Sequence, residues 1–221
     1  MFTGYSDKVG DFFWELRFNN SREWFNPRKA EFDQLVMQPT KALANELYDW
    51  FQEQYPALGL NLHISRIYRD ARRLFGRGPY KDHLWFSIKH GSILLEGPMF
   101  WFEIGAADYS YGMGFWAPKA ALMEAYRKAV DEHPEVLEKL VKRFNKQAQF
   151  TLSGPEYARK KTAPSPLLAA WYNKKSINLQ HDAAPDERMF SPELAQDIIE
   201  GFRTLMPLYK YFDGLCAAEM V

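Results

Sequence analysis

Phe100-Trp101-Phe102-Glu103-Ile104-Gly105-Ala106-Ala107-Asp108-Tyr109-Ser110-Tyr111-Gly112-Met113-Gly114-Phe115 contains two alternating runs separated by the short link Gly105 to Asp108. Large apolar side chains recur at every second position in each run. A period of two belongs to a strand with one buried face. The link is too short for a crossover helix, so the two strands run antiparallel. Working outward, Leu84, Phe86 and Ile88 alternate with Trp85, Ser87 and Lys89, and Leu60, Leu62 and Ile64 alternate with Asn61, His63 and Ser65. The spacing predicts strands over 60–68, 84–89, 99–104 and 109–115, hence an antiparallel sheet of about four strands.

The period becomes helical on both sides. Ser6 is placed to cap a helix carrying Val9, Phe12, Phe13 and Leu16, and Asn19-Asn20 breaks it. Ser21 opens a second helix with Glu23 in its first turn and Phe25, Phe32, Leu35 and Val36 along its stripe. Pro39 opens a third with Leu43, Leu47, Trp50 and Phe51. After the strands, Pro118 and Pro134 each begin a helix, residues 151–190 read as irregular, and Ser191-Pro192-Glu193 begins a last helix that Pro207 is expected to stop. The order predicts one α+β domain over residues 1–221, its sheet flanked by N-terminal and C-terminal helices.

Composition limits what the chain does. With 28 basic and 28 acidic residues the formal charge is zero. That argues against bulk attraction to nucleic acid or to an anionic membrane, so any anion binding must be local. No apolar run approaches the roughly 18 residues of a membrane span. The N-terminal residues lack a basic and an apolar signal region. The single cysteine, Cys216, has no intramolecular partner. A reducing cytoplasm is the expected compartment, with no membrane partner.

Charge is concentrated between Arg66 and His83. Arg66, Arg69, Arg72, Arg73, Arg77 and Lys81 face only Asp70 and Asp82, interleaved with Tyr68, Phe75 and Tyr80 and bent at Gly76-Arg77-Gly78-Pro79. Guanidinium groups match carboxylate and phosphate oxygens. The segment points to a ligand site for a small phosphorylated or carboxylated molecule, built on Arg66, Arg69, Asp70, Arg72, Arg73, Tyr80, Lys81 and His83. By strand parity Arg66 shares a face with Leu60, Leu62 and Ile64, and Asp70 either orients an arginine for the ligand or neutralises Arg66. The competing reading makes Arg66, Asp70, Asp82, Glu103 and Glu23 structural ion pairs, in an interaction module without catalysis.

Other chemistries have thinner support. Gly-x-Gly here is neither a Walker loop nor a dinucleotide fingerprint. There is no Gly-x-Ser-x-Gly elbow. The histidines lack metal-ligand spacing, and His63, His83 and Asp82 would have to meet across strands to hold an ion. No metal or other cofactor is expected, no catalytic residue is assigned, and whether a reaction occurs stays open, as does the oligomeric state. The basic stretches Arg159-Lys160-Lys161 and Lys174-Lys175, with Trp171 and Tyr172 as stacking platforms, make single-stranded nucleic acid the alternative, less favoured partner.

Asn19-Asn20-Ser21-Arg22-Glu23-Trp24-Phe25, then Arg66-Ile67-Tyr68-Arg69-Asp70 with Gly78-Pro79-Tyr80-Lys81, then Gly112-x-Gly114-Phe115-Trp116-x-Pro118 resemble the signature segments of the domain of unknown function 2461 family, whose members are mostly bacterial. Order and spacing agree from about residue 2 to residue 213. The resemblance implies kinship and carries no reaction, cofactor or catalytic residue with it. Members usually continue the Arg-Asp motif with an Arg-Phe-Ser-x-Asp-Lys-like stretch. This chain has Arg72-Arg73-Leu74-Phe75-Gly76-Arg77 there and lacks the acid.

Overall fold

The computed structural model describes residues 1–70, 72, 74, 76–91 and 97–219. Helices α1 (Val9–Phe18), α2 (Arg22–Phe25), α3 (Lys29–Phe32) and α4 (Gln38–Gln54) come first, and a single π turn, Asp33–Met37, lies between the last two. Strands β1 (Leu60–Ile64), β2 (His83–His90), β3 (Met99–Gly105) and β4 (Tyr109–Gly114) follow. After them come α5 (Ala120–Glu132), α6 (Pro134–Phe144), β5 (Thr151–Ser153), α7 (Ala169–Tyr172), β6 (Asn178–Ala183) and α8 (Glu193–Glu219). The sheet has six antiparallel strands in the order β1-β2-β3-β4-β6-β5.

The α+β class and the antiparallel sheet are as the alternation predicts. The strand count rises from about four to six because the segment 151–190 supplies β5 and β6. These pair antiparallel, with Leu152 opposite Leu179. Neither strand advertises itself, since β5 is three residues long and in β6 only Leu179 is buried. Their neighbour gave the better signal. A side chain at Gly112 would run into the Leu179 carbonyl, and one at Gly114 into Ile177 and Asn178. Glycine inside a strand marks such close backbone approach.

The chain divides into two compact units. One comprises residues 1–88, 101–111 and 182–199. Its interior is aromatic: Phe25 stacks on Tyr80 at 4.1 Å, Phe12 meets Phe32 at 5.9 Å, and Tyr5 stacks on Phe102 at 6.1 Å. The other comprises 89–100, 112–181 and 200–221. There Phe100 lies 4.8 Å from Phe202 and 4.7 Å from Tyr209, and Phe212 packs on Phe115 and Tyr126. Each such ring pair adds about 0.5–1.5 kcal/mol beyond the burial of its area.

Two expectations about local structure change. The last helix does not stop at Pro207 but carries it internally. Proline costs a helix one hydrogen bond and a steric clash. Here the following turns bury Leu208, Tyr209 and Phe212, the last two against aromatic partners, so packing outweighs propensity. The first strand ends at Ile64, short of 68. Beyond it Ser65 and Ile67 are buried while Arg66 is exposed, so the parity that placed Arg66 with Leu60 and Ile64 fails.

Candidate functional site

The two arms of the β1–β2 connection are held together before they reach the loop. Ser65 N donates to Trp85 O at 2.8 Å, Lys81 N to Ile67 O at 2.7 Å, and Arg69 N to Pro79 O at 2.8 Å. Asn20, between α1 and α2, fixes the far end. Its Oδ1 accepts from Tyr80 N and its Nδ2 donates to Tyr80 O, both at 2.9 Å. Gly78 permits this approach, because a Cβ there would collide with Asn20. Ser21 caps the turn that follows, accepting from Trp24 N at 3.2 Å. The Tyr80 carbonyl also accepts from Arg69 Nε at 2.7 Å. One carbonyl therefore serves two donors, as its two lone pairs allow.

This anchoring decides which cations are already used. Arg69 Nη2 lies 3.3 Å from Asp82 Oδ1, and Arg17 Nε donates to Asp82 Oδ2 at 2.7 Å. His83 Nδ1 is 3.4 Å from the same carboxylate. Burial works to raise the Asp82 pKa, but its backbone hydrogen bond, Arg17 and His83 together hold it below the usual value. Asp70 turns to the solvent side: its carboxylate accepts from Arg72 N, Nε and Nη2 at 2.8–3.0 Å. Asp70 thus engages its exposed neighbour rather than Arg66, and the buried-pair reading of Arg66 and Asp70 does not hold. Arg17 is the participant that sequence reasoning missed, since nothing in the last turn of a distant helix signals Asp82.

Arg66 and Lys81 differ from the rest. Among the described residues neither forms an ion pair or a side-chain hydrogen bond. Arg66 is exposed and borders a half-open groove of about 250 Å³, mostly apolar, over Phe32, Met37, Ile67 and Tyr68, with Lys29 and Asp33 at its rim. Lys81 is half-buried, its Nζ 5.7 Å from the centre of the Trp85 ring. Burial pulls its pKa down to about 8, and Arg69 and Arg66 push the same way, against Glu103. Glu103, from β3, is moved in the opposite direction. Burial raises its pKa and Asp108 and Asp82 add to this, while His83 and Lys81 oppose it. Lys81, just before β2, His83 and Trp85 on β2, and Trp101 and Glu103 on β3 are all half-buried, at alternate positions along the sequence. His63 packs against Trp85 at 5.4 Å.

The structure therefore brings Arg69, Tyr80, Lys81 and His83 together with Arg17, Asp82 and Glu103, and it turns Asp70 and Arg72 into a local exposed pair. Tyr80 enters as a buried ring and a backbone clamp. Arg73 lies outside the described residues. In the other unit, Lys174 is buried, donating to Gly154 O at 3.0 Å and to Glu156 Oε1 at 3.3 Å. Lys160 pairs with Glu156 at 2.8 Å. Trp171 and Tyr172 are 3% and 4% exposed, so neither ring is open for a base to stack on.

An antiparallel α+β sheet whose first hairpin carries a clamped basic loop and a half-buried lysine defines the class. The chain belongs to the family described as conserved hypothetical protein (DUF2461), matched over residues 8–211. No curated protein matches it. Among the described residues no helix is long and apolar enough to cross a membrane.

Proposed function

We propose that the protein is a bacterial, cytoplasmic binder of a small phosphorylated or carboxylated ligand, held by Lys81 and Arg66. The single observation that carries this is the distribution of partners in the basic segment. Asp82 and Asp70 pair with Arg69 and Arg72, which leaves, among the described residues, the half-buried Lys81 ammonium and the exposed Arg66 guanidinium without an ion pair, the Lys81 charge opposed by Arg69 and Arg66. An anion there would relieve that repulsion, each charge-assisted contact contributing about 1.5–3 kcal/mol. Arg69, tied to Asp82 and to the Tyr80 carbonyl, positions the loop.

Titration with sulfate, followed by the amide resonances of residues 66–69 and 80–83, tests this. Sulfate does not change its own charge near neutrality. Binding should weaken more than tenfold in Lys81→Met and again in Arg66→Ala. It should also weaken as pH rises through about 8, where free Lys81 loses its proton. Binding that ignores both substitutions removes the proposal. Affinity for single-stranded oligonucleotides through the same two cations would have a salt slope no steeper than about −2, so a much steeper one would favour the nucleic-acid reading.

A further inference from the structure

We infer that Lys81 is a nucleophilic amine that condenses with the carbonyl carbon of a small oxo-carboxylate, forming an imine. This rests on the anion-binding reading and deepens it. A lysine on a solvated surface is protonated and inert, and it becomes a nucleophile when desolvated or placed beside other cations. Lys81 meets both conditions. It is half-buried over the Trp85 ring, with the Arg69 and Arg66 charges opposing its own and no ion pair among the described residues. Lys174 provides the contrast inside the same chain: it is more deeply buried, but it donates to Glu156 and to the Gly154 carbonyl. Burial is the main cause of the Lys81 pKa near 8; of the charged groups acting on it, Glu103 from β3 opposes the shift and Arg69 and Arg66 from the connection add to it, and the Trp85 ring faces it.

Each partner has a role in the condensation. The neutral amine's lone pair forms a C–N bond to the carbonyl carbon, and the carbonyl π pair moves to oxygen, which takes up a proton. The hydroxyl group takes up a second proton and leaves as water, and departure of both nitrogen protons completes the imine. The balance is amine plus carbonyl giving imine plus water, with no oxidant or reductant. Those proton movements need an acid and a base near the amine. Glu103, whose carboxyl pKa burial pushes up, and His83 are the candidates, each in the charge cluster that acts on Glu103 together with Lys81. Arg66 is the contact for the substrate carboxylate.

Reductive trapping of the native protein tests the inference. The protein is incubated with glyoxylate and cyanoborohydride at pH 7, and the modified lysines are located by peptide mapping. Lys81 should acquire a carboxymethyl group at least tenfold faster than the exposed Lys128 and Lys142, and its rate should rise with pH through about 8. Glu103→Gln and His83→Asn should slow Lys81 labelling several-fold while leaving Lys128 unchanged, which loss of fold would not do. Propanal, a neutral carbonyl, separates the two layers of the reading. Fast labelling of Lys81 by glyoxylate alone supports both the amine and the anion site. Equal fast labelling by both reagents retains the amine and overturns the oxo-carboxylate. Labelling of Lys81 no faster than that of Lys128 by either reagent overturns the inference, and sulfate titration then decides the anion site independently.

Discussion

Asn20 uses both ends of one carboxamide on a single residue, and while the Tyr80 carbonyl also accepts from Arg69, the Tyr80 amide donates to Asn20 Oδ1. Asn20→Ala should therefore destabilise the protein by about 1–3 kcal/mol, measured from urea midpoints, because a partly buried donor loses its acceptor. Gly78→Ala should cost a similar amount by displacing Asn20. The two costs should not add, since both act on one contact, and strict additivity would separate the residues. Lys81 offers a test with a sign. Its folded pKa near 8 lies below the ordinary value of 10.5, so between those limits the unfolded chain holds a proton that the folded chain releases. Stability from this group rises with pH across that window, and the burden of the buried charge is present in full at neutral pH. Lys81→Met should thus be more stable than the wild type at pH 7, with the difference shrinking towards pH 10. A gap that stays constant with pH would mean that Lys81 is not desolvated.

At the scale of elements, β4 is specified as much by what it lacks as by its tyrosines. Gly112 and Gly114 let the β6 backbone come so close that no Cβ fits. Gly112→Ala should cost roughly 2–4 kcal/mol, seen as a lower urea midpoint, with the loss felt in β6 as faster amide exchange at Leu179. A cost near zero would mean that the ladder yields easily. The glycines were visible in the sequence, whereas β6 itself was not: Asn178-Leu179-Gln180-His181-Asp182-Ala183 has one buried apolar residue and no alternation to detect. Pro207 misleads for the reverse reason, since its local preference is real but the rings that override it lie far away in sequence. The basic segment was legible as a cluster because charge can be counted. Its division into consumed and unconsumed cations was not, because that depends on Arg17 and on the phase change after Ile64.

Across the whole molecule, strand order and sequence order part company at one place, with β6 lying between β4 and β5. On a ribosome adding about 5–20 residues per second, the interval between Gly114 and Asn178 lasts roughly 3–13 s. Throughout it the emerging β4 has one neighbour and a bare edge, with no Cβ at Gly112 and Gly114 to obstruct a foreign strand. The chain should be most adhesive while it is being made. Chains truncated just before Asn178 should sediment as aggregates when expressed, and supplying a peptide of residues 176–184 in trans should keep part of them in solution. Nascent chains that stay dispersed without it would show that the edge is guarded in some other way. The folded protein, whose β4 is paired on both sides, would carry no trace of the exposure it passed through.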